Sequence, residues 1–114
     1  MEFGTIRHVP LNQALRALPG KEGAPFALLF EHGTLQVEIY SPRGVDKQQP
    51  HARDELYFVA SGTGWFVHEG RRFPFSAGDM LFAAAGEAHR FEDFSDDFAV
   101  WVAFYGPPGG ERGA

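Results

Sequence analysis

Clusters of turn-forming residues recur at short, regular intervals through most of this chain, and that spacing restricts it to a fold built from many short strands. The clusters are Ser41-Pro42-Arg43-Gly44, Ser61-Gly62-Thr63-Gly64, Glu69-Gly70-Arg71, Ser76-Ala77-Gly78-Asp79 and Ala84-Ala85-Gly86-Glu87. Only four residues separate each of the last four from the next, too few for a helix and enough for a strand. Strand-like runs fill the gaps. Pro25 to Phe30 is apolar, and Leu35, Val37 and Ile39 alternate with Gln36 and Glu38. Leu56 to Ala60 and Trp65 to His68 flank a tight turn and read as a hairpin. Arg72 to Phe75, Met80 to Ala83, His89 to Phe91 and Phe98 to Tyr105 complete eight or nine strands. Helical spacing occurs once, where Leu11, Ala14, Leu15 and Leu18 share a face between Pro10 and Pro19; this predicts a helix of about two turns that caps one end of the sheet. The pattern predicts an all-β sandwich or barrel whose lumen can host a ligand.

The length of 114 residues suits a single domain over 1–114, with a core at about 25–105 and a loose Gly/Pro-rich tail at 106–114. Twelve Phe, two Trp and three Tyr supply the apolar bulk that a small barrel needs. The net charge of -5, with no basic cluster, speaks against a nucleic-acid partner. The chain has no Cys, which excludes disulfides, thiolate ligands and a Cys nucleophile together. No apolar run reaches the roughly 18 residues that cross a bilayer, and Met1 to Thr5 do not open a secretory signal. The expectation is therefore a soluble cytoplasmic protein with no membrane partner.

Of the five His, His8, His32 and His68 sit in terminal or turn positions and read as solvated surface residues. His51 and His89 lie where strand, turn and carboxylate signals meet. A strand rises about 3.4 Å per residue, so Gln49 and His51 would stand about 7 Å apart on one face, close enough to share an ion. His51 and Glu55 would stand about 13 Å apart on a straight strand, too far to share one. A common metal therefore demands that the chain bend at Ala52-Arg53-Asp54, which also turns the Arg53 cation away from the ion.

Two blocks then carry a resemblance. Gln49-Pro50-His51-Ala52-Arg53-Asp54-Glu55, followed by six residues and Gly62, resembles the first cupin motif, in which two histidines one residue apart precede a Glu and then a Gly. Gly78 through Gly86 to His89 and on to Asp93 resembles the second, a Gly, a Pro-x-Gly loop, a His and commonly an Asn. The resemblance covers about residues 35 to 105, with three departures: Gln49 for the first histidine, Ala84 for the loop Pro and Asp93 for the Asn. It implies a cupin jelly-roll barrel in which His51, Glu55 and His89 hold one divalent transition metal, Fe, Mn, Ni, Co or Zn, with positions left open for substrate. Gln49 would be a weak ligand or stand behind the ligands, since an amide oxygen is a poorer donor than imidazole to such ions.

Tyr57, Val59, Phe91, Phe98, Trp101 and Phe104 belong to the strands that border these ligands, which biases the site toward a small, mostly apolar substrate. Arg53 and Arg90 could meet a substrate carboxylate but read first as surface ion pairs. The resemblance implies a metal-dependent enzyme acting on a small metabolite, with a dioxygenase preferred because two His and one carboxylate suit Fe(II) and O2. An isomerase or lyase, a non-catalytic small-molecule-binding barrel and a purely structural role are the alternatives. No catalytic residue beyond the ligands and no further cofactor-binding residue stands out. Small cupins usually pair through edge strands, so a homodimer is expected.

Overall fold

The computed structural model describes residues 8–112. Residues 1–5, read above for a leader, and the last two residues of the expected tail lie outside this range. Among the described residues there are eight strands, β1 (Phe26–His32), β2 (Leu35–Tyr40), β3 (Asp54–Ser61), β4 (Thr63–His68), β5 (Arg71–Ser76), β6 (Met80–Ala83), β7 (His89–Glu92) and β8 (Ala99–Tyr105). They form two antiparallel sheets, one of five strands in the order β1-β2-β8-β3-β6 and one of three in the order β5-β4-β7. This is the jelly-roll arrangement expected of the cupin fold. No helix among the described residues is long and apolar enough to cross a membrane.

The two sheets face each other across an aromatic core. Phe66, Phe75 and Phe91 from the smaller sheet meet Tyr57, Val59, Val100 and Val102 from the larger one, with Phe98 from the connection into β8. Phe91 lies 4.8 to 5.6 Å, centroid to centroid, from the rings of Tyr57, Phe66, Phe75 and Phe98. Each such ring contributes about 1.5–3 kcal/mol through burial, plus the preference of aromatic pairs for tilted contacts.

The short helix α1 (Leu11–Arg16) forms, but in a different place from that expected. It does not cap an end of the sheet. Ala14 packs with Leu29, Ile39 and Ala99 on the outer face of the five-stranded sheet, making a second apolar layer. This has a consequence for β2, whose Ile39 serves the outer layer, while Gln36, Glu38 and Tyr40 line the interior.

The expected tail also behaves differently, because its backbone finds partners. Gly109 N–H donates to the Ala52 carbonyl (2.7 Å) and Glu111 N–H to Asp54 Oδ2 (2.8 Å), so residues 109–111 are laced to the start of β3.

Gly62, the last residue of the first motif, sits at φ +87° in the β3–β4 turn. A Cβ there would lie 2.7 Å from Phe98 Cα and 2.6 Å from Ser95 Oγ. Gly62→Ala is therefore expected to cost about 2–4 kcal/mol, from left-handed strain plus a backbone clash, read as a lower urea midpoint at unchanged slope.

Candidate metal centre

The interior wall of the five-stranded sheet follows from its register. Gln36, Phe104 and Glu55 lie abreast on β2, β8 and β3, and the next inward row is Glu38, Val102 and Tyr57. All six line a cavity of about 770 Å³, closed on another side by the 41–53 connection through Arg43, Lys47 and Gln48.

The bend that the distance argument demanded lies at Ala52 and Arg53, just before β3 begins at Asp54. It is held by backbone bonds from two remote segments. Gly86 N–H donates to the His51 carbonyl (2.8 Å), and the Gly109 bond to the next carbonyl follows it. With the chain turned there, His51 Nε2 comes to 3.5 Å from Glu55 Oε1. His89, at the start of β7, brings its Nε2 to 3.2 Å from the same oxygen across the two sheets. Each of the three residues offers a ligand atom within 4.8 Å of the other two.

The donor set fits a cation. Glu55 and His89 side chains are each 1% exposed, yet Glu55 Oε1 and His89 Nε2, 3.2 Å apart, have no hydrogen-bond partner. Two orphaned polar atoms in so dry a place would cost several kcal/mol unless something joins them. Their other halves are fixed. His89 Nδ1 lies 2.8 Å from the Glu87 carbonyl, which can only accept, so Nδ1 carries the proton and a neutral ring presents its Nε2 lone pair inward. Tyr57 O–H donates to Glu55 Oε2 at 2.5 Å, leaving Oε1 free. Burial, with the neighbouring Glu55 carboxylate, pushes the Tyr57 phenol up, so it remains a donor. Backing of this kind orients ligands around metal ions. The arrangement is compatible with a metal ion held by His51, Glu55 and His89.

Burial works to lower the His89 pKa, but the Glu55 carboxylate and the Glu87 carbonyl beside it outweigh that, so the imidazole titrates above its ordinary value of 6.5. Ligation needs the neutral ring, so metal affinity is expected to fall as pH drops through this raised value, earlier than for an ordinary histidine. The metal-free protein has the opposite sign. A raised folded-state pKa gives stability that is complete below the unfolded value and lost as pH rises through the folded one. Melting temperatures measured across pH with and without metal check both slopes.

The remaining sequence candidates fall as follows. Gln49 is exposed and does not line the cavity, whereas Gln48 does, its amide held by Asp46 (2.6 Å). Arg53 bonds the Gly106 carbonyl (3.1 Å) and Gln36 Oε1 (2.9 Å), and Arg90 pairs with Glu92 (2.6 Å). Phe104 stacks edge-on to His51 at 5.2 Å, while Trp101 packs against the outer layer under α1. His8 and His32 are exposed, and His68 pairs with Glu87 (2.8 Å). Asp93 adopts φ 48°, a conformation that Asn and Asp tolerate best, and pairs with Arg72. Ala84 N–H donates to Glu87 Oε1 (2.7 Å), a bond that the proline of the usual motif could not make.

Two residues that the sequence did not single out organise the site. Asp46 is buried and accepts from Tyr40 O–H, Gln48 N–H (3.1 Å), the Gln48 amide and Phe91 N–H (2.8 Å), which pins the 41–53 connection to the core. Glu38 lines the cavity with no side-chain hydrogen bond among the described residues; burial, and then Glu55, push its carboxyl up to about 7.

Residues 36–105 match the Cupin_2 family, described as a cupin domain. The chain belongs to the cupin family. Among curated proteins, the cupin is 39% identical over 62 residues to the uncharacterised protein SCO3923 of Streptomyces coelicolor, in a match covering 54% of this chain and 59% of that one. The matched stretch thus spans less than two thirds of that relative. Among solved structures it resembles protein NMB1881 from Neisseria meningitidis (TM-score 0.69, 17% identity, 88% of this chain and 100% of that one). It also resembles the DMSP lyase DddQ from Ruegeria pomeroyi (TM-score 0.61, 23% identity, 71% of this cupin and 46% of that chain). At these identities the two structures speak for the fold.

Proposed function

We propose that this cupin is a metal-dependent enzyme acting on a small organic molecule. The observation that carries this reading is the convergence of Glu55 Oε1 and His89 Nε2, both buried and unpartnered, with His51 beside a cavity of about 770 Å³. Three protein ligands leave positions open on a first-row ion, where a chelating substrate can bind. When bound, the ion would supply Lewis acidity, and O2 activation if it is Fe(II). The finer reading is a dioxygenase-type reaction, supported by the two-His, one-carboxylate set. A Lewis-acid isomerase or lyase is favoured instead by the carboxyl of Glu38 in the cavity wall, whose raised pKa suits proton transfer.

The test is to strip the protein with a chelator and add equimolar Fe(II), Mn(II), Co(II), Ni(II) or Zn(II) in turn. A rise in melting temperature with at least one ion is expected, and none with any ion overturns the metal reading. Small chelating metabolites are then screened anaerobically and in air; chelator-sensitive oxygen uptake with Fe(II) supports the dioxygenase, and turnover without oxygen supports the isomerase or lyase.

We also propose a homodimer. Phe58 faces Met80 across β3 and β6, and Leu56 faces Phe82, so the outer face beside the edge strand β6 carries an uncharged patch with Phe58, Met80 and Phe82 exposed. A surface without charge can meet its own copy with no like-charge repulsion, and an edge strand offers unpaired backbone groups to it. Light scattering is expected to give twice the chain mass, and Met80→Lys to shift it toward monomer.

A further inference from the structure

We propose that Arg43 and Lys47 form an anion-binding subsite at the mouth of the cavity, so that the molecule reaching the metal centre with one end is an organic acid whose carboxylate they hold at the other. The inference rests on the metal-centre reading above and adds the charge and the place of the ligand's outer end.

Cations gather here against the balance of the chain. Acidic side chains outnumber Lys and Arg by 15 to 10, yet the 41–53 connection lines the cavity with Arg43, Lys47 and Arg53. The one acid of that connection, Asp46, does not offset them. It is 6% exposed and accepts from Tyr40, Gln48 and the Phe91 backbone, away from the cavity lining. Arg53 is also committed, since its guanidinium donates to the carbonyls of Thr34 and Gly106 and to Gln36 Oε1. Arg43 and Lys47 differ from it: among the described residues their side chains form no ion pair and no hydrogen bond, with Glu38 and Glu55 of the sheet wall included. Both charges are left to a ligand.

Their position sets what that ligand looks like. Glu55 and His89, each 1% exposed, mark the inner end of the site, whereas Arg43 and Lys47 are exposed and mark its open side. Phe26 and Val45, 44% and 60% exposed, line the same mouth, and Val102 and Phe104 line the floor. A molecule that spans the cavity therefore chelates at its inner end, rests an apolar body on these side chains and meets two cations as it leaves. Low-dielectric walls around charges of one sign strengthen their field, and the planar fork of Arg matches a carboxylate.

The probes are the monohydroxamates of succinic, glutaric and adipic acids, which chelate through the hydroxamate and carry a carboxylate at three distances from it. Each is compared with the amide of the same length, which lacks the charge. Calorimetric titration of the Zn(II)-loaded protein at neutral pH is expected to show at least one acid binding about tenfold tighter than its amide, the worth of two partly exposed ion pairs. That ratio should shrink as salt is added. It should fall to near one in the double variant Arg43→Gln, Lys47→Gln, and below one in Lys47→Glu. The melting shift with Zn(II) alone is measured for every protein. If the wild-type protein lacks that shift, the metal reading fails and this inference falls with it. If the shift is present and no acid is preferred over its amide, or the preference survives in the double variant, or no hydroxamate binds, the anion subsite is overturned while the metal centre stands.

Discussion

Replacing His89 with alanine is expected to abolish the metal-dependent stabilisation of this cupin. An ion present at about a hundred times its Kd adds about 2.7 kcal/mol to a folded state that alone binds it, which for a domain of this size raises the melting temperature by about 10 °C. His89 is the one ligand drawn from the smaller sheet, and its Nε2 is one of the two orphaned atoms. Without it, His51 and Glu55 remain, a pair of which His51 is more than a third exposed. Two ligands on one short segment bind a first-row ion far more weakly than three. Differential scanning fluorimetry of the stripped protein, with and without metal, checks the result. His32→Ala, which alters an exposed histidine, should keep the full shift.

Asp46→Ala should have the largest effect on stability, a loss of about 3–5 kcal/mol. The Asp46 carboxylate is 6% exposed and accepts four hydrogen bonds, one from the backbone of Phe91 in the centre of the core. Truncation leaves a buried N–H and the Tyr40 hydroxyl without that partner, and such orphans cost about 1–3 kcal/mol each. The same change frees the 41–53 connection, which ends at His51, so metal affinity should fall as well. Urea unfolding gives the first quantity as a lower midpoint, and metal titration of the folded variant gives the second. Asp46→Asn keeps part of the acceptor capacity and should fall between.

The strands were legible because turn residues punctuate them so regularly; the cluster of His51, Glu55 and His89 was legible only through the motif resemblance, to which strand geometry added one demand, a bend between His51 and Glu55. That bend is present at Ala52 and Arg53. What holds it was not legible, since the donors are backbone groups of Gly86 and Gly109, whose hydrogen bonds carry no side-chain signature. The alternation in β2 showed two faces but not which is interior. α1 covers the outer face and gives Ile39 an apolar home there, so the polar residues turn inward and Glu38 reaches the cavity. A period of two is the same from either side. Gln49 illustrates a related limit. It falls at motif spacing from His51, but Pro50 and the bend interrupt the strand that such spacing assumes, and of the neighbouring pair Gln48 and Gln49 it is Gln48 that reaches the cavity.

Glu55 belongs to the five-stranded sheet and His89 to the three-stranded one. An ion held between them would act as a strut joining the two layers, so that separating the sheets would require breaking a coordination bond as well as parting aromatic rings. Occupancy would then be felt mechanically, as slower amide exchange along β7 and its neighbours, well beyond the residues that touch the ion.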